Sequence, residues 1–392
     1  MHRAVVVLSC LFALPTTAPA QFKLPMKLSE LEQRAQADSN DPAAHFNVAL
    51  AYWNARRWED ADRALRVAIM LDARFAPAYM ALNYLPYARR SNLWEEVREE
   101  RVPAEWRERM AESDRLYRRA YMIDPFVELR SGDVVTPRST AYLDALERAF
   151  GEQIRDFYDG LDQYFQAEYQ KAYDRFGRVL NHLDAARHPD RAPTSVYWWH
   201  GLAAARVEKW DEATADFERL IDRSLEPTRR DSLVHFPLRT NEFRYVLAYI
   251  KQRSGKLDEA VDLYHEVLSN DVGQYMAHVR LAEIYETTQK LPEAVASRRN
   301  AVNANPEDET LLLDLGRTLA TAGQNQEAVS VLRQATTANP RDPRPFLFLG
   351  LALEQLGQQA GAKTAFAQFV ALAPSRYERQ ITIAKQHLAT LQ

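Results

Sequence analysis

Apolar and small residues recur in this chain with a fixed period of 34 residues, marked by Ala260, Ala294, Ala328 and Ala362. Within each period the apolar positions follow the i, i+3, i+4, i+7 spacing that places them along one side of an α-helix. A short polar turn interrupts the stripe and a proline closes it, so each period predicts two helices joined by a turn. Because one helical hairpin cannot bury its apolar face alone, the pattern predicts hairpins that stack on their neighbours.

Glycine supports this interpretation at two kinds of position. Gly316 and Gly350 occupy the same slot of successive periods, where a residue without a side chain lets paired helices approach closely. Gly323 and Gly357 lie between the two predicted helices, where the first helix ends in a left-handed backbone conformation. With 12 glycines in 392 residues and no run of alternating β-branched residues, the sequence predicts an all-α fold.

The 34-residue pattern resembles the tetratricopeptide repeat family. The resemblance is strongest over residues 275–374. It extends more weakly to four upstream windows, 241–274, 194–227, 153–186 and 42–75. Asp156 and Asp159, in the third of these windows, stand where the family has apolar side chains. The resemblance implies a right-handed solenoid of helical hairpins, here with an irregular helical insertion.

The sequence divides into six segments on this basis. They are a secretory signal peptide (1–20), a lead-in with the first repeat-like units (21–85), an irregular helical insertion (86–152), divergent units with loop insertions (153–240), the regular array (241–374) and a C-terminal capping helix (375–392). Within the insertion, the stretch from Trp106 to Asp124 predicts a helix, a candidate for the delayed second helix of the repeat that starts at Ala76. The inward residues predicted for the capping helix are Ile381, Ile383, Ala384 and Leu388.

The N-terminus has the layout of a secretory signal. A short charged start precedes an apolar stretch that runs to Leu14, and Ala18-Pro19-Ala20 supplies the small residues that precede a cleavage site. We therefore expect an exported chain, periplasmic or extracellular, and the alternative for this stretch is a membrane anchor, for which it is short. Cys10 follows a loose lipoprotein-box pattern, so lipidation there is left open, and cleavage after Ala20 would leave a mature chain with no cysteine.

Composition and motifs limit the classes of function. A formal charge of −4 over 392 residues leaves no basic excess to neutralise phosphates, so nucleic acid is not expected as a main partner. The sequence has no His-Glu-x-x-His zinc motif, Gly-x-Ser-x-Gly elbow, phosphate-binding glycine loop or dinucleotide fingerprint. We therefore predict a non-catalytic scaffold without cofactor or metal, which binds a protein or peptide partner and belongs to a complex of the cell envelope.

An enzyme or enzyme-associated sensor is the alternative, with a site formed by the 86–152 insertion against the solenoid. Such a site would bring together titratable side chains that are distant in sequence. The candidates are Glu96, Asp114, Arg130 and His182. A groove without converging titratable groups would argue against this alternative.

The resemblance also implies where a partner would bind, because the first helices of tetratricopeptide repeats line a concave groove. Groove positions with aromatic or arginine side chains are the strongest candidates, since these residue types most often dominate interface energies. The candidate partner-binding residues are Phe46, Trp53, Trp198, Arg206, Tyr245, Tyr249, Arg253, Glu283 and Arg317. The alternative is that the aromatic rings pack against neighbouring helices or against the inserted segment.

Overall fold

The computed structural model describes residues 8–9, 24, 26–88, 104–127, 151, 153–183, 185–187, 192–225, 234–235 and 239–391, and these residues form 18 α-helices. The helices are α1 (Leu28–Ala37), α2 (Pro42–Asn54), α3 (Trp58–Leu71), α4 (Ala76–Ala88), α5 (Ala104–Ile123), α6 (Gln153–Phe165), α7 (Tyr169–His182), α8 (Thr194–Arg206), α9 (Trp210–Leu225), α10 (Thr240–Arg253), α11 (Leu257–Asn270), α12 (Tyr275–Thr287), α13 (Leu291–Ala304), α14 (Thr310–Thr321), α15 (Asn325–Ala338), α16 (Arg344–Gln355), α17 (Gln359–Leu372) and α18 (Glu378–Thr390). A 3-10 turn, Ser375–Tyr377, precedes α18. Two short strands, β1 (Leu8–Ser9) and β2 (Val234–His235), pair in parallel.

The helices pack as hairpins, as the 34-residue period predicts. Helix α6 packs on α7, α8 on α9, α12 on α13, α14 on α15 and α16 on α17. The second helix of one hairpin also packs on the first helix of the next, as α7 does on α8 and α15 on α16. The prediction of an all-α solenoid of helical hairpins is confirmed.

The chain divides into two compact units. The first comprises Met1–Pro25, Ala49–Asp62 and Ala76–Leu263, and the second comprises Met26–Val48, Arg63–Phe75 and Tyr264–Gln392. In the second unit a continuous apolar core runs through the last hairpins, with Leu319, Leu332, Phe366 and Phe369 almost fully buried. None of the described helices is both long and apolar enough to cross a bilayer.

Helix pairs approach closely at the predicted small-residue slot. A Cβ atom placed on Gly316 would lie 2.5 Å from Leu332 Cγ, and one on Gly350 would lie 2.7 Å from the Phe366 ring. Both distances are far inside van der Waals contact, so a glycine is required at these crossings of α14 with α15 and α16 with α17. The close approach that the sequence predicts is confirmed.

The turn between the two helices of a hairpin uses left-handed backbone. Gly323 and Gly357 have φ of +74° and +72°, as predicted for the residue that ends the first helix. Gln289 occupies the same slot one period earlier and has φ of +59° although it carries a side chain. This residue therefore adopts a conformation that costs free energy for any residue except glycine.

Helices α6 and α7 form a hairpin although polar residues replace apolar ones at two positions of α6. Arg175 of α7 lies 2.6 Å from the Asp156 carboxylate and 3.4 Å from that of Asp159, and Arg178 lies 3.1 Å from Asp156. Burial raises the pKa of Asp156, but the hydrogen bonds from the two arginines outweigh this effect and hold that pKa below its ordinary value. Ion pairs across the hairpin thus replace part of the apolar contact.

The predicted delayed helix pairs with α4, as the sequence suggests. Residues from Trp106 to Asp124 fall within α5 and the residue that follows it, and α5 packs along α4. Ser113 donates a buried hydrogen bond to the main-chain oxygen of Asn83, 3.3 Å away, which fixes the two helices against each other.

The capping helix α18 covers the end of the core. Ala384 is buried, and Ile381 and Leu388 pack against the core of the second unit. The prediction that Ile383 faces inward is wrong, because this side chain is 38% exposed. One residue corresponds to about 100° of rotation on an α-helix, which carries Ile383 off the face centred on Ala384.

In the second unit, segments from the two ends of the sequence bind each other through polar contacts. Arg74 lies 2.8 Å from Asp314, and Arg344 lies 3.3 Å from Asp72. The junction between α1 and α2 takes part as well. Its contacts are Arg341 Nε to Asn40 Oδ1 at 3.0 Å, Ser375 N to Asp38 Oδ1 at 3.0 Å and Arg376 Nε to Asp41 Oδ1 at 3.2 Å.

Candidate functional site: the face of helices α8 and α10

Five of the nine predicted partner-binding residues come together on one face of the first unit. Trp198 and Arg206 lie eight residues apart on α8, and Tyr245, Tyr249 and Arg253 follow one another at intervals of four on α10. Residues four apart on a helix project from the same side, so each helix presents one stripe. The two stripes meet the same stretch of chain, residues 121–127, hereafter the internal segment. It consists of the last turn of α5 and the residues that follow.

The deeper half of this face holds the last turn of α5. Trp198 is fully buried, and its ring meets that of Tyr121 edge-on, with 5.1 Å between the ring centroids. Phe217 closes the other side of the indole at 5.3 Å. The Tyr245 hydroxyl donates a hydrogen bond of 2.6 Å to the main-chain oxygen of Met122. Carbonyl groups in the last turn of a helix have no partner within the helix, so Tyr245 satisfies a group that would otherwise need water.

The outer half of this face holds Phe126. Its ring meets that of Tyr249 edge-on at 5.2 Å, and the Arg206 guanidinium lies 5.1 Å from the ring centroid. Arg206 Nη2 also donates a 2.6 Å hydrogen bond to the main-chain oxygen of Phe126. Arg253, which is exposed, lies 6.0 Å from the same ring. One arginine therefore binds both the ring and the backbone of one residue.

A turn presents Phe126 to this face. The Asp124 carboxylate accepts a 2.9 Å hydrogen bond from the Phe126 N–H, and the Asp124 main-chain oxygen accepts one of 3.0 Å from Val127 N–H. Asp and Asn stabilise such turns because their short side chains reach the backbone two residues on. The turn reverses the chain directly after α5 and leaves Phe126 only 5% exposed.

This face holds the internal segment by features that any polypeptide offers. Two side-chain donors bind main-chain oxygens, which every sequence offers, and an aromatic and cationic pocket surrounds one ring. The contacts of Trp198, Tyr245 and Tyr249 are those of the alternative in which the rings pack against the inserted segment. Binding of a partner at these residues stays a prediction. Sequence reasoning missed Phe126, because nothing in its neighbourhood shows that the chain returns to α8 and α10.

Tyr169 is a second residue of this face that sequence reasoning missed. Its ring centroid lies 4.9 Å from the Arg206 guanidinium, on α7 rather than on a first helix. Arg206 is thus held between the rings of Tyr169 and Phe126.

The remaining aromatic candidates lie elsewhere. Trp53, in the first unit, is 2% exposed and packs edge-on against Trp58 at 6.0 Å. Phe46, in the second unit, is partly buried and packs against Phe75 at 5.5 Å.

Glu283 and Arg317 belong to charged clusters of the second unit. Glu283 pairs with Arg280 at 2.9 Å, and Arg317 lies 3.4 Å from Glu286 with 41% of its side chain exposed. Glu286 also pairs at 3.0 Å with Arg298, whose side chain is 1% exposed. Arg317 is therefore the accessible edge of a network whose centre is buried.

The residues proposed for an enzyme site do not form a described cluster. Asp114 is partly buried on α5 and His182 is exposed at the end of α7, whereas Glu96 and Arg130 lie outside the described residues. Over the described ranges, no group of three histidine, cysteine or acidic side chains is placed to hold a metal ion.

A buried histidine and carboxylate pair joins helices α8 and α9. His200 Nδ1 lies 2.5 Å from Asp216 Oδ2, and the imidazole stacks on the Tyr173 ring with 4.8 Å between centroids. Burial raises the pKa of Asp216, and the hydrogen bond to His200 opposes that shift. The two side chains satisfy each other's hydrogen-bonding capacity and so stabilise the contact between α8 and α9.

One comparison with known protein families agrees with the hairpin geometry. The sequence model described as tetratricopeptide repeat matches residues 245–309 and 313–377. No curated protein matches the chain.

Solved structures that are similar to this chain include MamA AMB-1, at 19% identity and a TM-score of 0.36, covering 46% of this chain and 91% of that one. The MamA RS-1 ArsTM double mutant is 16% identical with a TM-score of 0.39, covering 46% of this chain and 94% of that one. Yeast Tom70 is 14% identical with a TM-score of 0.41, covering 93% of this chain and 92% of that one.

Both sequence matches fall on the part of the chain where the 34-residue period is regular, and the hairpins there have the predicted close crossings and left-handed turns. Over residues 245–309 and 313–377, the chain is therefore similar to tetratricopeptide repeats.

Proposed function

We propose that this protein is a non-catalytic protein–protein interaction scaffold of the cell envelope, which binds a segment of partner polypeptide on the first helices of its repeats. One observation carries the proposal. Side chains of α8 and α10 bind the main-chain oxygens of Met122 and Phe126 and surround one aromatic ring, and these are the contacts with which a repeat groove binds a peptide. Tetratricopeptide repeats supply the scaffold on which such side chains recur.

Site-specific photo-crosslinking in the native envelope tests the binding surface. A photoreactive amino acid replaces Arg253 or Arg317, which are accessible positions on first helices. Matched controls carry it at Lys363, exposed on the second helix α17, and at Val272, which is 78% exposed in a turn. We expect a discrete adduct with a partner from at least one first-helix position and from neither control. Equal labelling at all four positions, or no adduct at any, would contradict the proposal.

The envelope location rests on the signal-like N-terminus and is tested separately. Expression of the full chain followed by fractionation and N-terminal sequencing should give an exported protein that starts at Gln21. Mass spectrometry of the same sample distinguishes a lipid on Cys10 from simple cleavage after Ala20. A chain retained in the cytoplasm with residue 1 in place would remove the envelope from the proposal and leave the scaffold role untouched.

A further inference from the structure

The internal segment occupies the face of α8 and α10 in the manner of a bound ligand. Tyr245 binds an oxygen of the last helical turn, and Arg206 binds the oxygen of Phe126 beyond it. Neither interaction depends on the side chain of the residue that is bound. The face also contacts two aromatic rings of the segment, Tyr121 through Trp198 and Phe126 through Tyr249 and Arg206.

The charges of this face suit the end of a helix. The free carbonyl groups at a helix C-terminus carry partial negative charge, and a cation placed there is stabilising. Arg206 and Arg253 lie beside the residues that follow α5, and Arg253 is exposed. The chemistry of the occupied site therefore specifies a helix end followed by an aromatic residue.

We propose that this face is a receptor for the C-terminal end of a partner helix that is followed by an aromatic residue, and that the internal segment is a competitor which fills it until the partner binds. This inference rests on the proposed function and names the class of partner. It makes the scaffold self-blocked in its resting state, because the same donors bind the chain's own carbonyls.

Displacement requires only a local change. The last turn of α5, with Met122, leaves together with Phe126 and Val127 when the turn that Asp124 closes opens. The upstream part of α5 stays anchored to α4 through Ser113 and Asn83. Occupation of the site by the internal segment lowers the apparent affinity for a partner by the fraction of molecules in which the site is open. A variant that weakens the internal segment should raise that fraction.

A peptide supplied in trans tests the inference. The probe is a fluorescent synthetic peptide of residues 110–129, titrated by anisotropy against the full mature chain and its Phe126→Ala variant. We expect the variant to bind the peptide at least about 10-fold more tightly than the unmodified chain, because the site is open more often. The same peptide with alanine in place of phenylalanine should not bind, and adding Tyr249→Ala to the variant should abolish binding.

A second pair of variants covers the case in which Phe126→Ala fails to fold. Asp124→Ala removes only the carboxylate that holds the turn of the internal segment, and Asp271→Ala removes the same kind of contact from the turn before α12, where Asp271 accepts from Gly273 N–H at 2.9 Å. Peptide affinity should rise with Asp124→Ala and stay unchanged with Asp271→Ala. A folded Asp124→Ala or Phe126→Ala chain whose peptide affinity equals that of the unmodified chain overturns the inference and makes residues 121–127 a fixed part of the core. Adducts in the photo-crosslinking experiment would still support the scaffold role in that case.

Discussion

Arg74 and Asp314 form an ion pair of 2.8 Å within the second unit, although they come from opposite ends of the sequence. Arg298 donates to the same carboxylate at 3.2 Å. Burial raises the pKa of Asp314, but the charges of Arg74 and Arg298 outweigh burial and lower that pKa to about 2. The pair links the N-terminal segment to helix α14 and makes the stability of the unit sensitive to pH.

We expect the free energy of unfolding to fall as the pH drops from about 4 to about 2. The pKa of Asp314 is lower in the folded chain than its ordinary 3.8, so the carboxylate stabilises the fold above pH 3.8, and this stabilisation is lost as it is protonated. The shift corresponds to about 2 kcal/mol. Denaturant unfolding at pH 6, 4 and 2.5 checks it by comparison with Asp314→Asn. The difference between the two chains should shrink toward low pH, and parallel curves would show that Asp314 does not titrate in this way.

Removal of Arg74 should weaken the second unit. Arg74→Ala leaves Asp314 with one fewer cation in a site where its side chain is only 15% exposed, and loss of a partner from such a pair costs about 3 kcal/mol. The matched control is Arg299→Ala, because Arg299 and Glu327 are 46% and 45% exposed and such surface pairs contribute less than about 1 kcal/mol. Thermal unfolding measures both. Equal effects would mean that the Arg74 pair is energetically a surface pair.

Gln289→Gly should stabilise the protein. Gln289 has φ of +59°, and the left-handed conformation costs a residue with a side chain about 1 kcal/mol relative to glycine. The reciprocal change, Gly323→Gln, places a side chain at φ of +74° in the same slot of the next hairpin and should destabilise by a similar amount. Denaturant midpoints of the two variants should move in opposite directions. A shift of the same sign in both would point to side-chain contacts of Gln289 rather than its backbone.

Gly350→Ala should destabilise the last hairpin, whereas the same substitution at an uncrowded helical glycine should be tolerated. A Cβ on Gly350 would lie 2.7 Å from the Phe366 ring, and forcing a methyl group into such a crossing costs about 1–3 kcal/mol. Gly177 offers the control, since a Cβ there meets only His200 Nε2 at 3.7 Å. Gly177→Ala should stabilise α7 by about 0.5–1 kcal/mol through helix propensity. Calorimetry of both variants distinguishes steric crowding from propensity.

The repeat pattern predicts the hairpins because both are local. Apolar spacing within 34 residues determines which side of each helix is buried. Gly316 and Gly350 mark, in the sequence alone, where the two helices of a hairpin cross closely. The 153–186 window is instructive, since Asp156 and Asp159 break the pattern in sequence while Arg175 and Arg178 restore the pairing in space. A sequence pattern that considers one helix at a time cannot anticipate that compensation.

The candidate site was predictable as a set of side chains and not as an occupied surface. Helical spacing aligns Tyr245, Tyr249 and Arg253 on one stripe, because their positions differ by four residues. What meets that stripe depends on how the chain returns after α5, which no local spacing encodes.

By itself the sequence determined the helical hairpins, their close crossings and their left-handed turns, because each follows from residues within one period. Only the tertiary structure decided that Phe126 lies against Tyr249 and Arg206, and that Arg74 reaches Asp314. These contacts join residues far apart in the chain. Their energies depend on distance in space and on burial, and neither quantity is written in the spacing of residues along the sequence.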